Sequence, residues 1–242
     1  MHLSCIALHG WPETLGLDVV YGAVESFLEK NNFNLVRAHI LVSGWPKAKR
    51  IAPDDVKDII SRGGGVKSLE GEFAGGGARI ELLIRPDSSP ILYVGLEPPD
   101  EEFLVRFIRH MAQEIDVSYG YFFSATKEAA ALYAVGITQC GTGEGAELPD
   151  QDADARWFNE RVLPRSGHRY KDQGFFRNIY PYNLINNNHL SVLVDGVTLE
   201  AKIRSANWGG LVRVGDMNWL WRVPPNSTSE IRAAIARSGH LI

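Results

Sequence analysis

The sequence predicts an α+β fold: a mixed or antiparallel sheet with helices packed on one face, followed by a smaller aromatic-rich α/β lobe. Three observations carry this. Short apolar runs alternate with segments of helical periodicity through residues 3–135, in the order strand, helix, strand, helix, hairpin, helix, strand, helix. The stretch GTGEGAELPDQDADA at 141–155 then has almost no apolar residues. Beyond it the texture turns aromatic, with Trp157, Trp208, Trp219 and Trp221. The expected division is an N-terminal α+β region over 1–140, an acidic loop or linker over 141–155 and a C-terminal aromatic-rich region over 156–242, compatible also with one continuous domain.

LSCIAL (3–8) reads as a short buried strand. In TLGLDVVYGAVESFLEK (14–30), Leu17, Val20, Tyr21, Val24, Phe27 and Leu28 recur at helical spacing. FNLVRAHILVS (33–43), rich in branched residues, reads as a second strand. Pro53 opens a helix through PDDVKDIISR, with acids in its first turn and Gly63-Gly64-Gly65 as its stop. ARIELLIRP (78–86) and PILYVGLE (90–97) form a hairpin bent at Asp87-Ser88-Ser89. EEFLVRFIRHMAQEI (101–115) is the clearest amphipathic helix, with Phe103, Leu104, Phe107, Ile108, Met111 and Ile115 on one face. VSYGYFFS (117–124) follows as a strand and TKEAAALYAV (126–135) as a helix. Near the C-terminus, GLVRVG (210–215) and MNWLWRVP (217–224) predict a hairpin across Gly215-Asp216, with Trp219 and Trp221 on one face and Leu220 on the other. NSTSEIRAAIARSG (226–239) reads as a helix, with Ser227 and Glu230 spaced as a capping box and Gly239 as the stop.

Composition narrows the function classes. With 242 residues and 45% hydrophobic content the chain can bury a sizeable core. The formal charge of −4 gives no general attraction to nucleic acid or to anionic membranes. Two cysteines, Cys5 and Cys140, point to a reducing compartment rather than a disulfide scaffold. Without a bilayer-length apolar run or a secretory signal at the start, the expected location is cytoplasmic. Nothing indicates a homo-oligomer.

The sequence carries no CxxC, HxH or HExxH pattern, no nucleophile elbow and no Walker motif, so neither a metal nor a cofactor is expected. G-T-G-E-G at 141–145 leads into acids, which repel phosphate, and reads as a flexible bend. The sharpest catalytic candidate is Glu200-Ala201-Lys202, the E-x-K spacing of restriction-type nucleases, in which acids hold a divalent metal and the lysine polarises the reacting water. That chemistry needs a buried strand and an acid well upstream. VTLEAKIRSA reads equally as an exposed helix paired from Glu200 to Arg204, and Asp195 is only five residues away. A metal-dependent nuclease or hydrolase using Glu200 and Lys202 therefore stands as the alternative to a binding protein. In FFRNIYPYNLINNNHL (175–190), Pro181 biases Tyr180 toward extended geometry and the asparagines suit a turn. The stretch reads as a turn anchored by aromatics; a recognition surface, or His189 as a general base, are the other readings.

The informative charge lies in 141–155, where Glu144, Glu147, Asp150, Asp152 and Asp154 run without a base until Arg156. A solvated loop is the plain account. A docking surface for a basic partner, with Trp157 and Phe158 as the apolar anchor, is the functional one. FFRNIYPYNLINNNHL, the GGLVRVGDMNWLWRVP hairpin and STSEIRAAIARSGHLI, together with the N-terminal half, resemble immunity proteins of bacterial type VI secretion systems over nearly the whole chain. That resemblance implies a cytoplasmic, non-enzymatic protein that binds a cognate nuclease toxin of the restriction-endonuclease fold and blocks its active site or its assembly; a basic active-site surface on that toxin is the inference from the charge of 141–155.

Overall fold

The computed structural model describes residues 2–12, 14–62, 65–86, 90–98, 100–134 and 172–241. Its strands are β1 (His2–His9), β2 (Asn34–Val42), β3 (Lys49–Ile51), β4 (Val66–Gly75), β5 (Ala78–Arg85), β6 (Ile91–Glu97), β7 (Tyr119–Thr126), β8 (Tyr182–Asn186), β9 (Leu193–Val194), β10 (Val197–Thr198), β11 (Gly210–Arg213) and β12 (Asn218–Arg222). The α-helices are α1 (Leu17–Lys30), α2 (Val56–Ser61), α3 (Glu101–Glu114), α4 (Lys127–Ala134), α5 (Asn187–Ser191), α6 (Leu199–Ser205) and α7 (Thr228–Arg237). Among these, no helix is long and apolar enough to cross a membrane.

Ten strands form one sheet in the order β11-β12-β8-β7-β1-β6-β5-β4-β2-β3. Every pairing is antiparallel. The C-terminal strands thus continue the sheet of the N-terminal region through the pairing of β8 with β7.

Alternation sorts the side chains into two layers. Ile6 and Leu8 of β1, Leu92, Val94 and Leu96 of β6, Leu184 of β8 and Leu220 of β12 share a core with α1, α2 and α3. There Phe27 meets Phe103 and Phe107 edge to face, with ring centroids 5.3 and 5.2 Å apart. Asp100 caps α3 by accepting from the Phe103 amide at 2.9 Å. Leu3, Cys5 and Ala7 of β1, Tyr93, Tyr119, Tyr121 and Phe123 face the other way, where α4, α5, α6 and α7 cover them. The expected single layer of helices is α1–α3; the aromatic-rich C-terminal part, with α4, supplies a second layer on the opposite face. Strands buried on both faces, such as β1 and β6, read as continuous apolar runs for this reason.

Three local readings need correction. β4 escapes the sequence pattern because only Leu69 and Phe73 of its ten residues are buried, and glycines occupy two of its positions. Within the stretch read as an aromatic turn, Tyr182–Asn186 form instead a buried strand, β8, running directly into α5. The capping box expected at Ser227 and Glu230 does not form. Ser227 has helical dihedrals (φ −103°, ψ −8°) and makes no side-chain cap, while Glu230 accepts from the Trp208 indole at 3.3 Å. A capping box stands at α5, where Asn186 accepts from the amides of Asn188 and His189 and the His189 ring accepts from the Asn186 amide. Gly239 does end α7, at φ +79°: its amide donates to Ala236 O and that of His240 to Ile235 O, the double bond of a Schellman motif.

Trp219 and Trp221 share the face of β12 opposite Leu220, as predicted. Trp221 is fully buried against a cluster that includes Ile231 and Ile235 of α7, and its Nε1 donates to Trp208 O at 2.9 Å. Trp219 is half-buried and donates to Asn187 Oδ1 at 2.8 Å. Trp221→Ala should cost about 3–5 kcal/mol in urea unfolding, and Trp219→Ala less than half of that. Equal losses from the two would contradict the burial asymmetry.

Candidate functional site

The second layer is polar as well as aromatic. Tyr119 and Tyr121, two apart on β7, flank the buried His9 of β1 with centroids at 6.3 and 5.4 Å. Tyr121 stacks on Tyr180 at 4.2 Å, and Tyr119 on His189 at 5.5 Å. Arg177 lies over the Tyr133 ring at 4.2 Å and donates to the Tyr121 hydroxyl and the Ala134 carbonyl. Each asparagine of 178–186 is consumed locally. Asn178 Oδ1 accepts from Ile179 N and from Arg232 Nε. Asn183 bonds the amide and carbonyl of Tyr180, and Asn186 Nδ2 donates to Ser118 O.

The chemistry of His189 follows from its partners. Phe175 O is only an acceptor, so Nε2, 2.9 Å away, carries the proton. Nδ1 accepts from the Asn186 amide at 3.3 Å and lies 2.9 Å from the Asn186 Oδ1. The ring is fully buried and bonded at both nitrogens, so it links α5 to the segment before β8. Burial lowers its pKa to about 3, against the opposing pull of the Phe175 carbonyl. His9 is likewise lowered to about 3, by burial first and by the nearby Arg177 charge second.

Both histidines have folded-state values below the unfolded value near 6.5, so the folded state binds fewer protons between those limits. Their contribution to stability is complete above about pH 6.5 and is lost as pH falls toward 3, by up to about 1.4 kcal/mol per pH unit for each ring. His9→Gln and His189→Gln should each flatten the dependence of unfolding free energy on pH between 6.5 and 4. Unchanged slopes in both variants would assign the acid sensitivity to other groups.

The E-x-K candidates stand elsewhere. Glu200 and Lys202 lie on α6, where residues two apart project about 200° from one another, whereas a strand would place them on one face. Glu200 accepts from Arg204 at 2.9 Å, the expected i,i+4 pair. Lys202 pairs with Asp195 at 3.2 Å. Asp195 occupies the two-residue turn between β9 and β10, and its carboxyl is held below the usual range by the Lys202 hydrogen bond. Glu144, Glu147, Asp150, Asp152, Asp154, Trp157 and Phe158 lie outside the described residues.

The surface concavities among the described residues include two of about 400 Å³. The outer face of β2, β4 and β5 forms a trough of about 400 Å³ with mixed charge. Glu72 there meets Arg37 and Arg79, each at 3.6 Å, and Glu81 meets Lys127 at 2.6 Å. The other, also about 400 Å³, lies between the C-terminal end of α3 and the β11–β12 loop, lined by Glu114, Asp116, Asp216, Met217 and Asn218 among others. Gly215 seats the loop on the helix end, since a Cβ there would stand 2.6 Å from Ala112 O. Asn218 is 2% exposed, and its Oδ1 accepts no hydrogen bond from the described residues. A buried acceptor left so costs about 1–3 kcal/mol. This second pocket was invisible in the sequence, because Asp116 and Asp216 come from distant segments.

Fold and surface together define an α+β protein whose ten-stranded antiparallel sheet is covered on one face by α1–α3 and on the other, around β1, β7 and β8, by α4–α7. No family model matches the sequence, and no curated protein does. Among solved structures, the fold is similar to that of Pseudomonas aeruginosa T6SS protein PA0821, with a TM-score of 0.51 at 11% identity, covering 100% of this chain and 73% of that one.

Proposed function

We propose that this chain is an immunity protein of a type VI secretion system, similar to TsiT, that binds a cognate nuclease toxin in the cytoplasm and neutralises it. The observation that carries the reading is the likeness of the fold, over the whole chain, to a type VI secretion protein. The sequence resemblance of 175–190, the β11–β12 hairpin and the C-terminal helix to such immunity proteins supports it. So does the use of His9, His189 and Arg177 as buried packing groups. A nuclease lines its substrate groove with Lys and Arg, and an acidic partner fits that groove electrostatically.

The test is protection: cells expressing the toxin gene encoded beside this one should survive only when this protein is co-expressed. Death at the same rate with and without it would end the reading. As a binding protein the purified chain should hydrolyse neither DNA nor RNA with Mg²⁺ or Mn²⁺. Turnover abolished by Glu200→Ala would restore the enzymatic alternative.

Within this proposal, Glu144, Glu147, Asp150, Asp152 and Asp154 set the encounter rate, and Trp157 and Phe158 anchor the contact. Five carboxylates within eleven positions make a local negative field, screened beyond about 8 Å at physiological salt. Replacing all five with their amides should slow association with the toxin and flatten its dependence on ionic strength, with folding intact. Stopped-flow association is the measurement. An unchanged rate and salt slope would remove the segment from the interface.

A further inference from the structure

We infer that the free edge of β3 takes up an extended acidic segment of a partner protein as an added strand. β3 stands at one end of the ten-stranded sheet: Lys49–Ile51 pair with residues 38–40 of β2 and with no other strand among the described residues. Its outer side therefore presents backbone N–H and C=O groups that one more strand can bond. The side chains along it, Lys47, Ala48, Lys49 and Arg50, are all exposed.

Charge decides which strand fits. From Lys30 to Pro53 the chain holds no aspartate or glutamate, yet it carries Lys30, Arg37, Lys47, Lys49 and Arg50. Arg37 is paired with Glu72 at 3.6 Å. Lys47, Lys49 and Arg50 form no ion pair among the described residues. Lys49 Nζ lies over the half-buried Trp45 ring, 4.2 Å from its centroid, which holds the ammonium beside the edge without neutralising it. Along the row Arg50, His39, Glu70, the carboxylate stands two strands in, about 10 Å from the edge. Alternation puts Lys49 and Arg50 on opposite faces of β3. An added strand with two adjacent acids thus meets one cation on each face while its backbone bonds the edge.

The same cations select against other occupants. A second copy of β3 would set lysine and arginine against each other, and like charges facing across a strand pair destabilise it. An apolar strand would leave both cations without partners, which is how lysines guard an edge against aggregation. A nucleic acid brings charge but no strand backbone, and Asp54 and Asp55, which follow β3 directly, repel a polyanion longer than the edge. The opposite end of the sheet differs. On β11, Arg213 is turned to its own loop, donating to Gly215 O at 3.2 Å and Asp216 O at 2.7 Å, and Val212 is half exposed.

This inference stands apart from the immunity reading, and its test needs no toxin. The isotope-labelled full chain is titrated with the peptide acetyl-Thr-Val-Glu-Glu-Val-Thr-amide and with two relatives. One has both glutamates replaced by glutamine, which keeps the strand and removes the charge. The other has both valines replaced by proline, which keeps the charge and removes one backbone donor from each edge. The glutamate peptide should give saturable NMR shifts at the amides of residues 47–51 and at the Trp45 indole. Binding should weaken about fivefold or more with either relative. Lys49→Gln/Arg50→Gln, both at exposed positions, should keep its melting temperature and lose the preference for glutamate over glutamine. If that variant is destabilised, the three peptides on the unaltered chain decide alone. Equal binding of the glutamate and glutamine peptides, equal binding of the proline peptide, shifts mapping elsewhere or no saturable shift each overturn the proposal. So does a twelve-nucleotide single-stranded DNA that binds the same residues more tightly than the glutamate peptide, since that makes the edge a polyanion site.

Discussion

Three residue pairs join the C-terminal strands to the rest of the ten-stranded sheet. Gly120 faces Leu184, Tyr121 faces Asn183 and Phe122 faces Tyr182 where β7 meets β8. β12 and β11 attach to the sheet only by way of β8. A slip of one residue would turn Tyr182 and Leu184 away from the α1–α3 core and drive Asn183 into it. Asn183, whose amide is spent on both backbone groups of Tyr180 three residues upstream, is polar and so resists being turned into that core.

The two faces of the sheet solve different problems. Beneath α1–α3 the core is aliphatic and phenylalanine-rich, and side chains of similar volume would serve nearly as well. On the opposite face the chain buries His9, Arg177, Asn178, Asn183, Asn186 and His189, whose desolvation is offset only by defined partners. Tyrosines dominate there because each ring supplies apolar area while its hydroxyl reaches another group, as Tyr133 does to Tyr180 at 2.6 Å and Tyr119 to Asn178 O at 3.3 Å. This layer specifies one arrangement rather than merely favouring collapse. It also makes the fold sensitive to acid, since two rings stay neutral where free histidine would be charged.

A net charge of −4 over 242 residues says little by itself, yet its distribution is uneven. The outer face of β2, β4 and β5 pairs its acids with bases, and the end of α3 brings together carboxylates from two segments distant in sequence. Association is governed by such local fields within a Debye length, not by the total charge.

How much of this was legible in the sequence depends on how local each signal is. Periodicity alone located α1, α3 and the β11–β12 hairpin, because burying one face imposes a repeat on neighbouring residues. It also put Trp219 and Trp221 on one side of β12, and the i,i+4 spacing from Glu200 to Arg204 marked α6 as an exposed helix. β4 carried too few large apolar residues to register, and the asparagines of 183–188 carried turn propensity into a strand and a capped helix. Propensity there yields to cross-strand pairing with β7 and β12, which no local window contains. The neutral state of His9 and His189, and the union of Glu114, Asp116 and Asp216 around one pocket, belong wholly to the tertiary structure. Burial and the convergence of charge depend on which distant segments the sheet brings together, and composition and spacing hold no record of that.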